Sequence, residues 1–356
     1  MESDIRRLEP FFGKWYLDRW IGSGTFGDVY SIYHYENGVR LQAAMKVLRV
    51  PKSQDSIDRM RAEGMSDREI RACLEKQVEG LIHEVQIIQR FRGNDHIVCY
   101  MDHAVVEHKT RIQWDIFICM ELLEPLEDYL KRINATEWDV LKMWYSICQA
   151  LVVCHGNNII HRDIKIDNIL VSREGYYKLV DFGISKHIGA DLARTLAGAY
   201  PYMAPEIPRL EPYDGQADIY SLGMVVYRLL NAGRIPFLPP YPNVFTQEQR
   251  ERAIEMRIKG KQIPRIPGLR PELMNVLAKC LEYNPNKRYA SSKELLQAIS
   301  KLGKNSEKYK IPLFDAQKNW LPLPRKKGKS QYWLLILLAA VLLVGCAALF
   351  IYIMMG

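Results

Sequence analysis

No two of the seven cysteines stand at C-x-x-C spacing, and their positions (73, 99, 119, 148, 154, 280 and 346) show no metal-ligand pattern. That excludes zinc ribbons and dithiol redox motifs. An odd set of thiols in apolar surroundings fits a reducing compartment better than a disulfide scaffold. The first nine residues contain no apolar core, so no secretory leader is expected. Internal repeats and low-complexity tracts are missing too, which sets aside solenoids and fibrous chains. The charge is lopsided, at +8. Its excess is conspicuous at Arg325, Lys326, Lys327 and Lys329 rather than spread along a face, and nucleic acid is not expected as a partner.

What is there points to a cleft. With 356 residues, 48% of them hydrophobic, the chain can bury a sizeable core in one large or two smaller domains. Between the apolar runs Ile159-Ile160 and Ile169-Leu170-Val171 stand His161-Arg162-Asp163-Ile164-Lys165-Ile166-Asp167-Asn168. Burying two cations, two carboxylates, an imidazole and an amide without partners would cost several kcal/mol per ion, so these groups must face a cleft, a ligand or a metal.

Upstream, Tyr16-Leu17-Asp18-Arg19-Trp20-Ile21 reads as a strand entering Gly22-Ser23-Gly24-Thr25-Phe26-Gly27-Asp28-Val29. A second β-rich run follows, so the glycines suit a phosphate-covering hairpin rather than the strand-to-helix turn of a dinucleotide fold. The strand around Ala44-Met45-Lys46-Val47 holds one lysine in an apolar run, which calls for an anionic partner. Ser66 and Glu69 form a capping box, and Ile70, Leu74, Val78, Leu81, Val85 and Ile88 recur at steps of three and four. The spacing predicts a helix over 67–91, with Gly80 as a point of weakness. Ile116-Phe117-Ile118-Cys119-Met120 reads as a fully buried strand.

With Asp181-Phe182-Gly183 and Ala204-Pro205-Glu206 downstream, the sequence resembles the eukaryotic-type serine/threonine protein kinases over roughly residues 15–302. The resemblance implies an α+β bilobal fold: a β-rich N-lobe (15–120) with a long helix, a hinge (121–123) and a helical C-lobe (124–302). Residues 1–14 are then an N-terminal extension. ATP and Mg2+ are the implied cofactors, and serine or threonine hydroxyls of proteins the implied acceptors. Asp163 is the implied catalytic carboxylate, Lys165 steadies the γ-phosphate, and Asn168 and Asp181 hold the metal. The nucleotide is expected against Ile21, Gly22, Ser23, Gly24, Thr25, Phe26, Gly27, Val29, Ala44, Lys46, Glu121 and Leu123, with Met120 as gatekeeper. Glu84 is the best-spaced partner for Lys46, ahead of Glu79 and Glu75. An insertion over 51–80 separates the two; its charged stretch, Lys52–Arg71, reads as a solvated face, with a docking role as the lesser reading.

Arg162 is expected to pair with a phosphorylated residue of the activation segment, most simply Thr195, before Ser185 or Tyr202, placed there by transient self-association. One departure stands out. Ala199 follows Gly198 where the family usually carries a threonine, the one foothold for a pseudokinase scaffold or nucleotide sensor. Small-molecule phosphotransferases share the catalytic loop but lack the Ala-Pro-Glu segment and the downstream Arg288, which is expected to pair with Glu206. Asp218 is expected to brace the catalytic loop. Beyond 302, residues 303–331 read as a juxtamembrane tether. The 23 uncharged residues 333–355 are long enough, at about 34 Å of helix, to cross a bilayer as a transmembrane segment over 332–355. The preceding basic cluster predicts a single-pass membrane protein with its catalytic part on the cytoplasmic side.

Overall fold

The computed structural model describes residues 2–24, 27–182, 201–303 and 310–323. A five-stranded antiparallel sheet builds the first lobe, from β1 (Tyr16–Gly24), β2 (Gly27–Glu36), β3 (Val39–Val50), β4 (Tyr100–Glu107) and β5 (Trp114–Met120), in the order β1-β2-β3-β5-β4. The turn between β2 and β3 is Asn37-Gly38, both with positive φ (51° and 80°), and it pairs Glu36 with Val39. An Asn-Gly pair is the sequence that a two-residue turn with left-handed backbone demands. This fixes the register that sets Lys46 opposite Val29 on one side and Ile118 on the other.

β3 is buried on both faces. Ala44 and Leu48 join the main core, while Ala43, Met45 and Val47 join a second cluster with Tyr30, Ile32, Phe117 and Cys119. That second face is covered by the N-terminal extension. Ile5 of the short helix α1 (Glu2–Arg6), Phe11 and Trp15 pack onto it, although the polar composition of 1–9 gave no hint of a buried anchor.

Helix α2 (Gln54–Ala62) and the long α3 (Asp67–Gln89) follow β3. Ser66 and Glu69 make the reciprocal cap, Ser66 N–H to Glu69 Oε2 at 2.8 Å and Glu69 N–H to Ser66 Oγ at 3.4 Å. All six apolar positions of the sequence pattern are buried, and Gly80 leaves the helix unbroken. The inserted stretch is therefore a helical wedge. Ile57, Ile70 and Leu74 share a core with Val50 and Trp114, and Arg71 pairs with Glu107 while lying over the Trp114 ring.

The second lobe begins with β6 (Glu124–Pro125), α4 (Leu126–Arg132) and α5 (Glu137–Gly156), then a small sheet of β6, β7 (Ile169–Val171) and β8 (Tyr177–Leu179). Helices α6 (Gln216–Leu230), α7 (Gln247–Ile258), α8 (Pro271–Cys280) and α9 (Ser292–Leu302) complete it. α6 is buried nearly all round, as its apolar composition requires, and packs against α5 and α8. β8 is stitched to the first lobe. Val98 N–H donates to Leu179 O at 3.0 Å, and Leu179 N–H donates to His96 O at 3.0 Å.

Two expectations change here. Residues 310–323, read as part of a tether, fold back as a strap on the second lobe. Leu313 N–H donates to Ala135 O at 2.9 Å, Glu137 N–H to Ile311 O at 3.0 Å and Leu321 N–H to Leu313 O at 2.8 Å, while Leu313, Phe314 and Leu323 are buried. The single-pass membrane placement, and the bilayer as a partner, are also corrected: among the described residues no helix is long and apolar enough to cross a membrane. α3 and α5, the longest of them, carry charged residues and bury their apolar positions in the lobes. The 332–355 run on which that placement rested lies outside the described residues.

Candidate active site

Asp218, at the start of α6 and 1% exposed, organises the catalytic loop. Its carboxylate accepts the backbone N–H of His161 at 2.8 Å and of Arg162 at 2.9 Å, and meets His155 Nε2 at 2.9 Å. These bonds hold Arg162 at φ 70°, a left-handed conformation that costs a non-glycine residue roughly 1 kcal/mol or more. His161 Nε2 lies 2.8 Å from Val180 O, and its Nδ1 faces the Asp163 N–H at 3.3 Å. A carbonyl can only accept, so Nε2 carries the hydrogen and Nδ1 is the acceptor. The ring also packs on Phe182, centroids 4.7 Å apart.

These braces present Asp163. Its Oδ2 accepts from Lys165 Nζ at 2.8 Å and from Asn168 Nδ2 at 2.9 Å, and the same amide donates to Asp163 O at 2.7 Å. Oδ1 is left for another donor. From the opposite lobe, Lys46, 2% exposed on β3, reaches Asp181 Oδ1 at 2.6 Å. Asp181 has a left-handed backbone as well, φ 61°. Glu84, the carboxylate expected beside Lys46, is buried at Oε2. Burial pushes its carboxyl up to about 7, and Arg162 is the charge that draws it down.

A cleft of about 1050 Å³ runs between the lobes. Of the residues expected at the nucleotide, Ile21, Gly22, Ser23, Val29, Ala44, Lys46, Glu121 and Leu123 line it, together with Lys165, Asn168 and Asp181. Gly24 and Gly27 pair with each other at the end of the β1–β2 hairpin, whose tip, Thr25 and Phe26, lies outside the described residues. At Gly27 the need for glycine is local: a Cβ would stand 2.0 Å from Val47 O. Glu121 turns its side chain away, accepting from Cys99 N–H at 2.7 Å and Lys178 Nζ at 2.9 Å, while its own N–H bonds Cys99 O at 3.2 Å. Its carbonyl remains for a ligand. Arg19, Trp20, Arg132, Asp167, Leu170 and Arg173 also line the cleft and were not foreseen; Leu170, mid-strand in an apolar run, was the legible one.

A divalent cation has a fitting donor set. Asn168 uses its amide nitrogen on Asp163 and keeps Oδ1; Asp181 uses Oδ1 on Lys46 and keeps Oδ2. Two hard oxygens on one cleft wall suit Mg2+, which takes few protein ligands and completes its shell with phosphate and water. No group of three or more His, Cys, Asp or Glu able to hold a metal occurs among the described residues.

On the far side, Glu206 and Arg288 form the buried pair expected of them. Their two bonds measure 2.6 and 2.8 Å, and Arg288 adds bonds to the carbonyls of Glu282, Gln216 and Tyr283. All five guanidinium hydrogens are thereby used. The expectations at Gly183, Ser185, Thr195, Gly198 and Ala199 lie outside the described residues. Tyr202 is described and is buried, its hydroxyl held by Arg228, which leaves it no access as an acceptor.

The family model of the protein kinase domain matches residues 15–299. A probable serine/threonine-protein kinase of Clostridium perfringens is 31% identical over 230 residues, covering 62% of this chain and 33% of that protein. The serine/threonine-protein kinase STE20 of Eremothecium gossypii is 30% identical over 283 residues, 78% of this chain and 25% of that protein. CBL-interacting protein kinase 3 of Oryza sativa subsp. japonica is 30% identical over 318 residues, 87% of this chain and 62% of that protein. The chain thus matches less than two thirds of the length of each of these relatives.

Proposed function

This chain belongs to the protein kinase domain family, whose members use ATP and Mg2+, and we propose that it transfers the γ-phosphate of ATP to serine and threonine hydroxyls of proteins. The observation that carries the reading is that Lys165 and Asn168, which line the cleft, both bond Asp163, while Lys46 reaches across from β3 to Asp181 beside them. Asp163 Oδ1, the oxygen not engaged by Lys165 or Asn168, accepts the proton of the acceptor hydroxyl and aims its oxygen at the γ-phosphorus. Lys165 neutralises charge on the transferring group, and Lys46 positions the α- and β-phosphates. Asn168 Oδ1 and Asp181 Oδ2 would hold Mg2+, which when bound supplies charge neutralisation on the phosphates. Phosphoryl transfer asks little covalent chemistry of the protein, so positioning and charge carry most of the acceleration. The kinase domain is taken as 15–302, with residues 310–323 as its strap.

The same enzyme is proposed to phosphorylate its own activation segment at Thr195 through transient self-association. Arg162 supports this: its Nε is buried without a hydrogen-bond partner among the described residues, and its guanidinium lies 5.7 Å from the Tyr213 ring. A phosphate carrying about −1.5 to −2 charges would fill that deficit.

The test is incubation with labelled ATP and Mg2+, beside Asp163→Asn, with phosphate mapped by mass spectrometry. Label on serine or threonine, Thr195 included, and lost in Asp163→Asn, is the expected result. Nucleotide binding with no transfer from the native chain would overturn it in favour of a nucleotide-sensing pseudokinase.

A further inference from the structure

The strap at 310–323 packs, through Trp320, against Gly233, whose bonds to Arg228 reach the loop that carries Tyr202. Gly233, just past α6, has φ 76°; its N–H donates to Arg228 O at 2.9 Å and its carbonyl accepts from Arg228 Nε at 3.2 Å. The remaining two nitrogens of that guanidinium reach the Tyr202 hydroxyl and, at 3.2 Å, Glu127 Oε1. A planar fork with one nitrogen fixed has little freedom in the other two. Gly233 therefore sets where Arg228 can hold Tyr202, four residues before the buried Glu206. Burial pushes the Tyr202 hydroxyl up from its ordinary value, the Arg228 guanidinium draws it back, and Asp167 of the catalytic loop adds to the rise.

The other face of Gly233 is occupied by the strap. A Cβ there would stand 3.0 Å from Trp320 Nε1 and 3.2 Å from Cε2, so the indole rests where a side chain would otherwise be. Trp320 is seated in turn by Phe314, ring centroids 4.6 Å apart, and Phe314 adjoins Leu313, whose N–H is bonded to Ala135 O. A line of direct contacts thus runs Trp320, Gly233, Arg228, Tyr202. None of these four lines the nucleotide cleft.

We propose that Trp320 and Arg228 are positioning residues for the protein acceptor: the docked strap fixes Gly233, Gly233 fixes the Arg228 fork, and the fork fixes the 201–206 loop beside the catalytic loop. The inference rests on the phosphotransfer reading above. A strap that merely stabilised the lobe would lower stability and affect both substrates together. A positioning strap affects acceptor capture and leaves ATP alone.

The experiment uses the full chain with casein as the acceptor, titrating casein and ATP separately for the native protein, Trp320→Ala, Trp320→Phe, Arg228→Lys and the Trp320→Ala/Arg228→Lys pair. Trp320→Ala is expected to raise KM for casein about threefold to tenfold, within the range of network mutations, with KM for ATP unchanged. Trp320→Phe restores most of the affinity, Arg228→Lys reproduces the loss, and the double variant is no worse than either. Hydrogen exchange at the amides of Tyr202, Met203 and Glu206 is expected to quicken in Trp320→Ala and not in Trp320→Phe. Unchanged exchange at those amides, parallel changes in both KM values, or additive single effects would each overturn the proposal. Should the native chain transfer no phosphate at all, the phosphotransfer reading falls, and the exchange comparison still decides the linkage.

Discussion

Glu137 shows how much one side chain can say. It opens α5, is fully buried, and neither carboxylate oxygen has a hydrogen-bond partner among the described residues; Arg270 Nε stands off at 3.9 Å. Burial pushes its carboxyl up to about 7, with Arg270 pulling down and Glu272 adding to the rise. A carboxyl raised in the folded state contributes its stability below its unfolded value, near 4.5, and that contribution is lost as pH rises through 7. Glu137→Gln removes the ionisation. Its melting temperature relative to the native protein should therefore climb between pH 5 and pH 8, by the equivalent of about 2 kcal/mol. Calorimetry at the two pH values checks it, and a pH-independent difference would show that Glu137 is not neutral in the fold. At this scale the chemistry was largely legible: Lys46, Asp163, Asn168 and Asp181 are polar groups set in apolar runs, and that mismatch is visible without a structure. Less legible were residues whose reason lies in a distant strand. The glycine at 27 is required by the Val47 carbonyl, and Glu121 is turned from the cleft by Cys99 and Lys178.

Among the elements, α3 was the most readable because two independent signals coincide, a reciprocal cap and a 3.6-residue apolar period. Ser66→Ala removes the Oγ that accepts the Glu69 N–H and leaves the other half of the cap, Ser66 N–H to Glu69 Oε2, in place. It is expected to cost about 1 kcal/mol. Urea unfolding should show that loss, and Ser66→Asp, which can still accept the Glu69 N–H, should recover most of it. α2 was missed for a physical reason: it buries Ile57 alone, too little periodicity to separate it from a solvated charged stretch. The strap was missed because its anchors, Leu313, Phe314, Trp320 and Leu323, follow no period; the partners that define them are supplied by the α4–α5 turn and Gly233.

For the whole molecule, the lobes meet at the cleft mouth through a polar contact, Arg173 Nη2 to Gln42 Oε1 at 2.9 Å. Such an exposed bond is worth about 0.5 kcal/mol, so Gln42→Ala should release ADP roughly twofold faster, as read by stopped-flow fluorescence of a labelled nucleotide. An unchanged rate would show that separation of the lobes at this edge does not limit release. Behind the cleft, the strand that carries Leu179 is bonded on both sides of Ile97, to His96 and Val98, and Lys178 reaches across to Glu121. Those bonds join the lobes as a spine joins two covers. Any opening about them moves a point in proportion to its distance from the spine, so the glycine hairpin swings widely. The chain near residues 96–98 scarcely shifts. Clearance in the cleft therefore grows most beneath that hairpin.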